Sequence, residues 1–163
     1  MTPRKINPLT DNFHLRPARA DDIPSIADIA EATDLFPGEM AKDMMAGYLA
    51  GDASDLWFVH EGANGPIGFG FCEPERMTEG TWNLLAIGVL PAHQSRGLGA
   101  TMITYLEEAL RQRGGRILLV ETLGTPAFER TQAFYHKQDF TEEARIREFY
   151  EPGGDKVVFW KRL

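Results

Sequence analysis

The sequence predicts an α/β (α+β) fold: one domain on a mixed, mostly antiparallel sheet of about six to seven strands, with one parallel β-α-β crossover and helices on both faces. Three observations predict it. An apolar run from Leu84 to Val89 stops at Pro91, and beyond a short polar turn Met102, Ile103, Leu106 and Leu110 recur at helical spacing. A second apolar run, Ile117 to Val120, follows that helix, so the two runs form a parallel pair joined by a crossover. Asn64-Gly65, between Leu56–Gly62 and Ile67–Cys72, marks a hairpin turn.

The elements follow in order. Residues 1–12 read as a short N-terminal lead-in, and 13–163 as the domain. Phe13, Leu15 and Pro17 begin a first strand. Ala20-Asp21-Asp22 supplies a helix N-cap with Pro24 in the first turn, and Ile23, Ile26, Ala27, Ile29 and Ala30 form its apolar face. Pro37-Gly38 interrupts before a second helix from Glu39 to about Leu49, whose Met40, Met44 and Tyr48 are spaced i, i+4, i+8. With Met45, this stripe reads as core before it reads as pocket. The hairpin follows, then a long strand from Thr81 to Val89, the glycine-bearing helix ending near Gly114-Gly115, and the strand at Ile117. Thr125-Pro126 opens a last helix carrying Phe128, Ala133, Phe134 and Tyr135. Thr141–Phe149 and Lys156–Trp160 read as two strands joined at Pro152-Gly153-Gly154-Asp155.

Composition narrows the function. A 43% hydrophobic chain of 163 residues can bury a real core. Its 17 basic and 24 acidic residues leave a formal charge of −7, which argues against nucleic-acid binding through a basic surface. No apolar run approaches the roughly 20 residues that span a bilayer, so no membrane partner is expected. The start, Met1-Thr2-Pro3-Arg4-Lys5, has no apolar segment of the signal-peptide kind. The single cysteine, Cys72, excludes an intramolecular disulfide framework, and a cytoplasmic location is the expectation. His14, His60, His93 and His136 show no metal-ligand spacing, so no metal is expected.

The segment Gln94-Ser95-Arg96-Gly97-Leu98-Gly99-Ala100 carries the chemistry. A helix start presents free backbone N–H groups and the positive end of the helix dipole, which suits a phosphate-bearing ligand. Gly97 and Gly99 let oxygens approach the backbone, and Arg96 adds a cation. The segment reads as a pyrophosphate cradle.

These residues resemble the GNAT (GCN5-related N-acetyltransferase) superfamily. The likeness rests on Gln94-x-x-Gly97-x-Gly99 after a strand ending Ile87-Gly88-Val89-x-Pro91, on Phe134-Tyr135-x-x-x-x-Phe140, and on the element order along nearly the whole chain. The resemblance implies the acyl-CoA N-acyltransferase fold and acetyl-CoA as acyl donor. The N–H groups of Gln94 to Ala100 would hold the pyrophosphate, and the edge at Ile87, Gly88 and Val89 would pair with pantetheine amides. It also implies direct attack by a primary amine of a small molecule or peptide. Such an amine, with a pKa of about 10.4, must lose a proton first, and the departing thiolate must gain one. Tyr135 matches the family's general-acid position. The base is open. Asn83 stands where related enzymes often carry a glutamate, which leaves Glu121 as the base candidate, with Glu73, Glu75 and Glu79 as others. Two further departures are Asp139, in place of a glycine, and Phe128, in place of an asparagine.

A dinucleotide-binding unit fits less well, although Glu121 lies about 20 residues beyond the glycines. The third glycine position is Met102 and a proline separates strand from loop. No Gly-Lys-Ser/Thr of a P-loop is present. A non-catalytic acyl-CoA-binding sensor or interaction module would show the same cradle, and a homodimer is compatible with either reading. Asp34, Glu39 and Asp43 favour a cationic acceptor.

Overall fold

Residues 14–163 are described by a computed structural model, so the lead-in expected over residues 1–12 and the strand start at Phe13 lie outside the described residues. The strands are β1 (Leu15–Pro17), β2 (Leu56–Gly62), β3 (Gly65–Pro74), β4 (Thr81–Val89), β5 (Ile117–Leu123), β6 (Thr141–Glu151) and β7 (Gly154–Arg162). The helices are α1 (Ile23–Ala32), α2 (Ala41–Ala50), α3 (Leu98–Gln112) and α4 (Glu129–Lys137). The strand order is β1-β2-β3-β4-β5-β7-β6, with β4 and β5 parallel. This is the mixed, mostly antiparallel sheet with one crossover that the sequence predicts. The described residues fall into two compact units, the first running up to Phe71 and including Ala86–Tyr105, the second Cys72–Leu85 with Leu106–Leu163.

In the first unit, β1 pairs antiparallel with β2 from Leu15↔His60 to Pro17↔Phe58. Ile26, Ile29 and Ala30 of α1 and Ala41 and Met45 of α2 are buried in one core with Trp57, Val59, Phe69, Phe71 and Ala86. The Trp57 ring stacks on Phe71 at 4.1 Å and on Phe69 at 6.1 Å, which lends geometric specificity to an apolar cluster. Gly70 lies against the Phe58 ring so closely that a Cβ there would collide with it.

Asp22 is the N-cap residue of α1 with Pro24 in the first turn, as expected; Ala20–Asp22 forms a 3₁₀ turn leading into it, and the Asp22 side chain makes no cap hydrogen bond to α1. Its carboxylate instead accepts from the two terminal guanidinium nitrogens of Arg16, at 2.7 and 2.8 Å, and from the Arg19 N–H at 2.7 Å. In α2 the buried face falls on Ala41 and Met45, while Met40 is 46% exposed. Met44 and Tyr48 of the expected stripe pack against this core as half-buried residues, so only its first member stands off it.

In the second unit, the parallel register runs from Thr81↔Ile117 to Leu84↔Val120. All seven residues of β5 pair with β7, from Ile117↔Arg162 to Leu123↔Lys156. Glu121, Thr122 and Leu123 therefore lie beyond the parallel register while remaining held by β7. Along β5, Leu118, Val120 and Thr122 are buried, and the intervening residues are half-buried. This is the two-residue period of a pleated strand. Tyr135 of α4 packs against Phe140 and Phe159, each with ring centres 5.5 Å apart. The Lys161 ammonium ties β7 to two other elements, through an ion pair to Glu107 of α3 and a 2.7 Å hydrogen bond to the Gln138 carbonyl beyond α4.

Candidate active site

In the first unit the loop after β4 is built by backbone bonds. Leu90 N–H donates to the Ile67 carbonyl at 2.8 Å, and a 3₁₀ turn over Pro91–His93 follows. The Gln94 side-chain amide then donates to the Val89 carbonyl at 2.9 Å, tying the loop to the strand end. Ser95 and Gly97 both have positive φ, +63° and +76°. A left-handed serine is strained, and such strain collects at ligand clamps. A Cβ on Gly97 would meet nothing within 4 Å, so the loop is open there and glycine is required by φ alone.

The first hydrogen bond of α3 runs from the Thr101 N–H to the Gly97 carbonyl, at 3.2 Å. The N–H groups of Leu98, Gly99 and Ala100 precede it, at the positive end of a helix of 15 residues. Arg96 is exposed beside them. This donor set fits an anionic group such as a pyrophosphate.

In the second unit, Tyr135 is buried within its aromatic cluster, and that burial pushes the phenol's pKa well above its usual value. The phenol is therefore protonated at neutral pH. Asp139, at the position where the resemblance expects glycine, has φ +65°. The left-handed turn is thus kept, by one of the few non-glycine residue types that tolerates it. Phe128 caps the start of α4 at 37% exposure, after a 3₁₀ turn over Pro126–Phe128.

The candidate bases separate clearly. Asn83 is buried, and its amide nitrogen donates to Glu75 Oε1 at 2.9 Å and, in a longer contact, to Glu121 Oε1 at 3.4 Å. Asn83 Oδ1 is buried without a hydrogen-bond partner. Glu121 is ion-paired to Lys156 at 3.0 Å, and the same ammonium lies 4.3 Å from the centre of the Phe149 ring. Glu73 and Glu79 are exposed. Sequence reasoning missed Lys156 and Phe149, because only the β5–β7 register, with Lys156 opposite Leu123, brings that lysine to Glu121.

The remaining titratable residues take other places. His14 stacks on His60 at 5.8 Å, and burial lowers the His60 pKa. His136 meets the Phe159 ring edge-on, and His93 lies in the 3₁₀ turn before the loop. Cys72 is buried. Asp34, Glu39 and Asp43 are exposed. No helix among the described residues is long and apolar enough to cross a membrane.

A strand, an open left-handed loop and a helix start together present backbone donors suited to an anionic group. The family description "Acetyltransferase (GNAT) domain" matches residues 52–142. The chain belongs to this GNAT acetyltransferase family and is an acyltransferase. A crystal structure of a protein described as of the GNAT family, from Desulfovibrio desulfuricans, is similar, with a TM-score of 0.83 and 26% identity over 91% of this chain and 97% of that one. A ribosomal-protein-alanine N-acetyltransferase from Brucella melitensis shares the fold at a TM-score of 0.76 and 19% identity, over 91% and 99% of the two chains. A Salmonella typhimurium protein solved with its cofactor acetyl-CoA does so at 0.75 and 21%, over 91% and 92%.

Proposed function

We propose that this chain is an acetyl-CoA-dependent N-acetyltransferase that moves an acetyl group directly to the primary amine of a small molecule or peptide. The observation that carries the reading is the loop into α3, with left-handed Ser95 and Gly97 ahead of the N–H groups of Leu98, Gly99 and Ala100. The likeness of fold to a protein solved with acetyl-CoA supports it.

In this reading the loop residues Gln94 to Ala100, with the Arg96 guanidinium, hold the pyrophosphate of the donor. The backbone of Ile87, Gly88 and Val89 takes the pantetheine arm, with the Val89 carbonyl already engaged by Gln94. Acetyl-CoA, when bound, supplies an activated thioester. Tyr135 serves as general acid: a phenol kept neutral by burial retains its proton until a thiolate needs it. A carboxylate of the Asn83 cluster serves as base, and Glu121 is its ion-paired member.

Calorimetry with acetyl-CoA, followed by thiol release across a panel of amines, tests the reading. Saturable binding with amine-dependent thiol release is the expected result. Binding without release for any amine would instead favour a non-catalytic acyl-CoA sensor, and absence of binding would end both readings.

A further inference from the structure

β6 closes the strand order at one end of the sheet. It pairs with β7 alone, so its outer edge presents N–H and C=O groups that no other strand of this chain pairs with. All eleven of its residues, Thr141 to Glu151, are exposed, so neither face of the strand is covered. Ile146, Phe149 and Tyr150, at 46%, 52% and 47% exposure, carry apolar surface into water along this one strand.

The register with β7 isolates a short regular stretch. Ala144, Arg145 and Ile146 lie opposite Val158, Val157 and Lys156, and the pairing slips on either side, at Glu143 and again beyond Ile146. Such irregularities end pairing and re-aim side chains, so Glu143 and Arg147 flank a three-residue platform. The ion pairs of this hairpin run from Arg145, to Glu142 at 3.3 Å and to Asp155 at 3.1 Å. Among the described residues Glu143 and Arg147 take no part in an ion pair.

This stretch is complementary to itself in the antiparallel sense. With a twofold axis at Arg145, Glu143 of one copy falls opposite Arg147 of a second, and Ala144 falls opposite Ile146. Two charge pairs and two small-on-large apolar pairs result, and Ile146 is covered. Arg145 meets its own counterpart at the axis, with its charge already balanced by Glu142 and Asp155. Ala144 and Ile146 share one face of the pleat and Arg145 takes the other, as this axis requires. An axis at Ile146 would set Arg145 opposite Arg147. One at Ala144 would set Glu142 opposite Ile146 and Arg147 opposite Thr141. A guarded edge repels a second strand, whereas this one carries both signs in an order that a second copy matches.

We propose that β6 is a self-association edge, on which two copies of this chain pair antiparallel about a twofold axis at Arg145 and continue the sheet from one copy into the other. One strand and its flanks make a small interface, so the dissociation constant is on the order of 10 μM. None of Glu143 to Arg147 belongs to the donor site, so this association does not depend on acetyl transfer.

Sedimentation velocity of the full chain from about 1 to 500 μM tests the pairing, with far-ultraviolet circular dichroism as the check on folding. Wild type is expected to pass from monomer to dimer across that range. Arg147→Glu and Glu143→Arg each set like charges opposite one another twice and should weaken the dimer about tenfold. Combining the two exchanges the partners and should restore the dimer to within about threefold of wild type. A monomer at the highest concentration, growth beyond the dimer, single variants that associate like wild type, or a combined variant that does not recover would overturn the pairing.

Cross-linking gives a second readout that does not rely on charge. Opposed Cα atoms of an antiparallel pair lie about 4.5–5.5 Å apart, within reach of a disulfide, so Arg145→Cys should link to its own copy when diamide is the oxidant. Glu143→Cys should not, because four residues of strand, about 14 Å, separate it from its counterpart. Cys72 is buried, and wild type is the control. Equal linking in both variants, or in neither, would overturn the axis.

Discussion

Asp22 and Arg16 form a two-pronged ion pair, with the carboxylate oxygens 2.7 and 2.8 Å from the two terminal guanidinium nitrogens and side chains 6% and 21% exposed. Burial works against ionisation of Asp22. Hydrogen bonds from Arg16 and the Arg19 N–H, with the charge of Arg16, outweigh it and hold the carboxyl below its ordinary pKa. A carboxyl depressed in the folded state contributes stability that is present above its unfolded pKa of about 3.9 and lost as pH falls through the lower folded value. Asp22→Asn is therefore expected to cost about 3 kcal/mol at pH 7, because it leaves Arg16 partly buried without this partner. Urea unfolding at pH 7 and at pH 3 checks this, and the wild-type advantage should shrink at the lower pH.

Tyr135→Phe keeps the ring that packs on Phe140 and Phe159 and removes only the hydroxyl. Acetyl transfer is expected to fall by about 10²–10⁴-fold, the range of general acid catalysis, with acetyl-CoA affinity unchanged within about twofold. Calorimetry and thiol release on the same preparation make the comparison. Loss of binding and activity together would assign the phenol to the fold instead.

Gly97→Ala forces an L residue to φ +76° in the loop that opens α3. The added strain is about 1–2 kcal/mol. Since nothing crowds a Cβ there, strain is the main cost. Acetyl-CoA binding is expected to weaken about tenfold as the loop relaxes away from the geometry that presents its N–H groups, while the far-ultraviolet circular dichroism stays the same.

Cys72 is buried, and that burial, with the charge of Glu73 adding to it and Arg113 opposing it, raises the thiol pKa. Native protein at pH 8 is expected to react with a thiol reagent at least about 100-fold more slowly than urea-unfolded protein, because the thiolate is the nucleophile. A group whose pKa is raised on folding stabilises fully below its unfolded value, here about 8.5, and that stability is lost as pH rises through the folded pKa. Cys72→Ala should flatten the decline in stability between pH 8.5 and 10, read by urea midpoints.

Long, strongly patterned elements were legible in the sequence. The run Thr81–Val89 and the apolar face Met102, Ile103, Leu106 and Leu110 carry their own periodicity and appear as predicted, and the hairpin at Asn64-Gly65 forms with its turn one residue earlier, over Ala63-Asn64. Short helix starts were less legible, because the deciding interaction lies far along the chain or off the helix. Asp22 holds the cap position of α1, but its side chain goes to Arg16 instead of the helix. Met40 reads as the start of the α2 face, but it lies in a 3₁₀ turn over Gly38–Met40 and is exposed, while Met44 and Tyr48 pack on the core. In the candidate site, the left-handed loop and Tyr135 follow from local motifs. The pairing of Lys156 with Glu121, and of Glu75 with Asn83, depends on strand register and on a turn conformation, which local patterning does not encode.

In β5, residue parity separates structure from chemistry: Leu118, Val120 and Thr122 are interior, and Glu121 lies on the alternate set. A shift of one position along this strand would drive a carboxylate into the interior and turn the interior side chains outward. Folding fidelity and the pairing of Glu121 with Lys156 are thus one and the same quantity in this segment. A single-residue insertion or deletion between Ile117 and Leu123 would break that register with β7 and, with it, the placement of Glu121.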